Sequence, residues 1–126
     1  MTERDLIDRT KKFALRIIKL VGALPRTIEG RSIAGQLMRS GTSVAANYRA
    51  ACRARSKAEF IAKLGTVEEE ADESAFWLEL IIDSALISEN KVRPLLNEAS
   101  EIVAMIASSK KTAAKSQIAN RNSKMS

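Results

Sequence analysis

From Phe60 to Ala85 the chain keeps a strict seven-residue rhythm. Phe60, Leu64, Val67, Ala71, Ser74, Leu78, Ile81 and Ala85 follow one another at alternating steps of four and three. A repeat of 3.5 residues drifts against the 3.6-residue turn. A helix that keeps it must therefore supercoil left-handedly around its neighbours. The pattern predicts a helix from Lys57 to Ala85 inside a helical bundle. Ser56-Lys57-Ala58-Glu59 reads as its capping box, with the serine hydroxyl and the glutamate carboxylate satisfying the first free amides.

The remaining segments supply partners of the same kind. Leu6, Thr10, Phe13, Ile17, Leu20 and Leu24 share one side of a helix from Thr2 to Leu24, widened by Ile18 and Val21. Arg9, Lys12, Arg16 and Lys19 form its outer, basic row, predicted to face solvent. Pro25 stops this helix. A connection containing Gly30 leads to a second helix from about Ser32. After the turn Ser88-Glu89-Asn90, Leu95, Ala99, Ile102 and Ile106 mark a fourth helix flanked by Leu96 and Val103. Aromatic residues make up only 4% of the chain, so alanine and the aliphatics must fill the core, which suits helices. Residues 1–108 are thus expected to form an all-α, up-and-down antiparallel four-helix bundle. Residues 109–126 hold little apolar periodicity and are expected to be a basic, mostly disordered tail.

The second helix has an unusual polar side. Gln36, Ser40, Ser43, Asn47 and Ala50 recur at helical spacing, with Arg39 at the border and Ile33, Leu37, Val44 and Tyr48 as an apolar stripe alongside. Gly41 lies mid-helix, where glycine costs about 1 kcal/mol relative to alanine. A glycine beside small polar groups predicts close approach of another backbone. The alternative is a serine-rich solvent face. Arg39 is expected to pair with Glu70 or Glu73, within one chain or across an interface. Trp77, with Phe76 and Tyr48, serves either the core or a subunit contact.

Charge is divided along the chain. Residues 1–57 hold thirteen Lys and Arg against four acids, residues 58–108 three against eleven, and residues 109–126 five against none. Basic helices can meet the acidic one inside a bundle or between copies. The cations Arg49, Arg53, Arg55 and Lys57 exceed what a helix C-terminus uses. With Lys110, Lys111 and Lys115 they are candidate nucleic-acid contacts.

Other chemistry is poorly represented. The chain has no histidine, so no Ser-His or Cys-His nucleophile pair can form. The acids crowd onto one helix, unlike the distributed Glu and Glu-x-x-His ligands of di-iron bundles. No glycine-rich phosphate loop occurs. No metal, cofactor or enzymatic activity is expected. The lone Cys52 is a packing residue, or a thiol made acidic by nearby arginines. The charged start MTERDLIDRTKKF and the lack of a long apolar run predict a cytoplasmic protein without a membrane span.

The stretch QLMRSGTSVAANYRAACRARSKAEFIAKLGTVEEEADESAFWLELI resembles the signature of the four-helix-bundle proteins encoded in intervening sequences of bacterial 23S ribosomal RNA genes. Gln36, Arg39, Ser40, Ser43, Asn47, Ser56, Glu70, Glu73, Trp77 and Leu78 carry the likeness, which spans roughly residues 6–107. Ala50 departs from it, standing where the family usually has glutamate. The resemblance implies a ring-shaped homo-oligomer, usually a homopentamer, with a suspected role in binding RNA or DNA and no assigned enzymatic activity. It is also similar to the accessory protein of diversity-generating retroelements, which implies a polypeptide partner as the alternative.

Overall fold

The computed structural model describes the backbone of residues 1–125 and the side chains of residues 1–119. Four helices follow in order: α1 (Glu3–Gly22), α2 (Ile28–Cys52), α3 (Lys57–Asp83) and α4 (Glu89–Met125). The links between them are only a few residues long, so successive helices run antiparallel. α3 packs broadly against α2 and α4, α1 lies on α2, and α1 meets α4 along the narrowest seam. This is the up-and-down bundle that the repeat predicted.

Local chemistry explains the helix starts. Thr2 Oγ1 accepts the Asp5 amide at 3.1 Å and Asp5 Oδ2 accepts the Thr2 amide at 3.0 Å, a reciprocal cap for α1. At α3, Ser56 Oγ accepts the Glu59 amide at 3.1 Å as expected, but Glu59 turns its carboxylate to the Arg55 amide instead. α2 begins a turn earlier than the sequence suggested. Thr27 caps it by accepting the Gly30 amide at 3.1 Å. Gly30 belongs to the helix because of close packing: a Cβ there would sit 2.0 Å from the Pro25 carbonyl oxygen. α3 ends before Ala85, which is exposed and has a left-handed φ of 54°, so it leaves the apolar rhythm.

The expected tail is corrected. α4 runs on to Met125 and is the longest helix at 37 residues, about 15 Å longer than α3 at 1.5 Å per residue. Its first added turns are anchored. Ala113 is buried, and Lys110 Nζ lies 2.8 Å from Glu68 Oε1 of α3. An alanine contact and one ion pair leave no aliphatic rhythm in a sequence, which is why the segment looked unstructured.

The core is one cluster drawn from all four helices, with Phe13, Ile17, Leu37, Tyr48, Leu64, Leu78, Ile102 and Ile106 fully enclosed. Thr10 is buried too, its hydroxyl returned to the Leu6 carbonyl at 2.8 Å. Gly41 is buried, but its close neighbour is a side chain and not a second backbone: a Cβ there would lie 2.8 Å from both γ-carbons of Ile17. Arg9 departs from the solvated row. Its guanidinium grips Glu98 of α4 through two hydrogen bonds at 2.7 and 2.8 Å and also reaches Glu101. That bond holds the Glu98 carboxyl below the usual glutamate range.

Filling the Gly41 site has a defined cost. Gly41→Ala is expected to lose about 1–3 kcal/mol to overpacking and regain about 1 kcal/mol of helix propensity, for a net loss near 1 kcal/mol in denaturant unfolding. In an Ile17→Ala background the same change is expected to cost nothing, so a double-mutant cycle reads the contact directly.

Candidate nucleic-acid interface

The alternation of helix direction decides where the cations gather. α1 and α3 begin, and α2 and α4 end, at the same pole of the bundle. One cavity there is lined by Met1, Glu3, Tyr48, Lys57, Phe60 and Thr112, drawing on every helix or its flank. Candidates separated in sequence by some sixty residues therefore lie at one pole. Arg55, Lys57, Lys111 and Lys115 are exposed, and no carboxylate among the described residues lies within ion-pair distance of them. Lys110 is different: its bond to Glu68 makes it a structural cation.

Arg49 and Arg53 point to a neighbouring feature. With Arg4 and Lys11 of α1 they line a groove of about 560 Å³ between α1 and α2, floored by Ile7, Ala45 and Ala46. Arg4 also meets Asp8 at 3.7 Å. Sequence reasoning missed Arg4 and Lys11. Their helical spacing placed them off the Arg9–Lys19 row, and only the packing of α1 on α2 shows what they face. Cys52 borders the same groove, but burial pushes its thiol upward, so the arginines do not make it acidic. Burial likewise raises Tyr48.

The polar side of α2 resolves into three environments. Ser40 is buried, with its Oγ 2.9 Å from Ser74 Oγ of α3, and Ser74 Oγ also lies 2.9 Å from the Glu70 carbonyl. One proton goes to the backbone and the other bridges the helices, so neither hydroxyl is orphaned. Ser43 and Asn47 are half-buried and joined locally, Asn47 Nδ2 donating to the Ser43 carbonyl at 2.9 Å. Gln36 is exposed. Within this chain the close helix contact made by the row is therefore that of Ser40 with Ser74.

Arg39 pairs within the chain while its side chain stays 48% exposed. It reaches Glu70 at 2.9 Å and also binds Glu73. Glu73 in turn accepts the indole N–H of Trp77 at 3.0 Å. That bond, then Arg39, holds the Glu73 carboxyl below the usual glutamate range. Two carboxylates already pair with Arg39, so its charge is met without an acid at Ala50, three turns away. Trp77 is half-buried, and Phe76 packs edge-on to it with ring centres 5.1 Å apart while remaining 49% exposed.

Among the described residues, no three His, Cys, Asp or Glu side chains converge as a metal site requires, and no helix is long and apolar enough to cross a membrane.

Comparison with known proteins places this geometry. The model for the 23S rRNA-intervening sequence protein family matches residues 2–108. A crystal structure from Bacteroides thetaiotaomicron, described as a protein of unknown function from the S23 ribosomal protein family, superposes with a TM-score of 0.81 at 35% identity. The match covers 88% of this chain and 99% of that one. No match is found among curated proteins.

Trp77 is the only tryptophan, so its fluorescence reports on Glu73. A pH titration is expected to show a transition below the ordinary glutamate range. Arg39→Met is expected to move that midpoint upward. Because the folded carboxyl is depressed, its stabilising contribution is complete above the carboxylate range and is lost as pH falls through it.

Proposed function

Because the chain belongs to the 23S rRNA-intervening sequence protein family, we propose that it is a non-enzymatic, cytoplasmic, self-associating protein that binds nucleic acid through its basic pole, with structured RNA as the ligand. The gathering of Arg55, Lys57, Lys111 and Lys115 at one end, exposed and without carboxylate partners among the described residues, carries this reading. Exposed lysines and arginines neutralise phosphates and release counterions, giving affinity without base reading. Phe60 is the only aromatic lining the cavity mouth beside Lys57 at this pole besides Tyr48, whose ring is buried. Base stacking on single strands is therefore weakly served, and a folded RNA presenting its backbone fits better. α4 enlarges the basic surface beyond residue 108, where the family match ends.

Binding of a labelled RNA hairpin, followed by anisotropy across a salt series, tests this. Four phosphate contacts predict a log–log slope of about −3 to −4. Lys57→Glu combined with Lys111→Glu is expected to weaken binding at least tenfold and to flatten that slope. Affinity indifferent to salt would refute the proposal. A partner retained after nuclease treatment would favour the polypeptide-binding alternative, which the exposed Phe76 on an acidic helix supports.

A further inference from the structure

The groove between α1 and α2 has a counterpart on the same molecule. Its rims carry Arg4, Asp8 and Lys11 on one side and Arg49 and Arg53 on the other, above an apolar floor; Asp8 offsets Arg4 in part, and the rim stays net positive. Helical spacing carries the α1 rim onward from Lys11 to Leu15 and Ile18, which are 57% and 45% exposed. A phosphate backbone would use the cations and leave the apolar floor without a partner. No aromatic side chain lines this groove to stack on a base. A helix carrying one large apolar anchor among acids would use both.

The outer face of α3 is such a helix. Phe76 stands at its centre, with Asp72 four residues before it and Glu79 three residues after, and with Glu69 and Asp83 extending the row. All four acids are exposed, and none pairs with a cation among the described residues. The row spans 15 residues, and its ends lie about 21 Å apart at 1.5 Å per step. The groove volume accommodates an aromatic side chain as an anchor.

We propose that the α1–α2 groove receives the α3 face of a second copy of this chain, with Phe76 over the apolar floor and the acids against the four rim cations. The proposal rests on the reading that the chain self-associates, and is independent of nucleic-acid binding. The two faces differ, so the contact is heterologous. Repetition gives a closed ring when the rotation closes and a filament when it does not. Arg49 and Arg53 then belong to assembly, which leaves Arg55, Lys57, Lys111 and Lys115 for phosphates.

Charge reversal with rescue tests it, using mass under native conditions and sedimentation. One variant carries Arg49→Glu and Arg53→Glu, the other Asp72→Lys and Glu79→Lys. The wild type is expected at a multiple of 13.8 kDa and each variant alone at that monomer mass. An equimolar mixture is expected to reassociate, because each reversed groove then meets a reversed face. That recovery also shows both variants to be folded. Lys57→Glu with Lys111→Glu is expected to keep the wild-type mass. A wild type that stays monomeric at every concentration overturns both the self-association reading and this contact. A wild type that associates while either groove or face variant keeps its mass overturns the contact alone. So does a mixture that stays monomeric, or dissociation of the Lys57/Lys111 variant.

Discussion

How closely α2 can lie against its neighbours governs the rest of the bundle. Ile17 of α1 stands on Gly41, and on the α3 side Ser40 meets Ser74 through a single hydroxyl bridge. A larger residue at either position would push a helix outward and open the core around Leu37, Val44 and Tyr48. Gly30 does the same for the α1–α2 link, letting the first turn of α2 rest on the Pro25 carbonyl. Small residues are thus placed where backbones or branched side chains need room. The heptad of α3 then fills the space that those contacts define.

Electrostatics is resolved unevenly on this frame. Among the described residues, three cations make five cross-helix ion pairs: Arg9 with Glu98 and Glu101, Arg39 with Glu70 and Glu73, and Lys110 with Glu68. Each ties two helices at a rim, where water is close and desolvation modest. Such pairs fix relative position more than they add stability. The Arg9 pair matters most for architecture, because α1 and α4 otherwise share the narrowest seam. The surplus remains as two separate surfaces, a basic pole with its α1–α2 groove and an acidic outer face on α3. Their separation is a property of the folded unit and supplies both functional readings.

The family model covers residues 2–108, and the superposition on the Bacteroides relative covers 88% of the chain. α4 continues past the end of the family match. It carries Lys111 and Lys115, from the far end of the chain, at the pole where α3 begins with Lys57. The signature residues themselves serve the α2–α3 junction: Ser40 with Ser74, and Arg39 with Glu70, Glu73 and Trp77. They are first of all the fastening of two helices, and the cations proposed to meet phosphates lie elsewhere.

Helix number, direction and apolar faces were legible in the chain, because burial of a stripe imposes a period that neighbouring residues display to one another. The pairing of Arg39 with Glu70 and Glu73 was legible for a similar reason: two adjacent antiparallel helices allow few partners. Other features depended on residues far apart in sequence. Nothing local marks Arg9 for Glu98, Arg4 and Lys11 for the groove of Arg49 and Arg53, or Lys110 for Glu68. Gly41 signalled closeness without revealing that Ile17 was its cause. The helical state of the first turns past residue 108 was equally hidden, since Ala113 and Lys110 anchor them through contacts with other helices. Periodicity is a local record of which side is dry. Which dry or charged sides meet is set by packing in three dimensions, where a single rotation of a helix changes every partner.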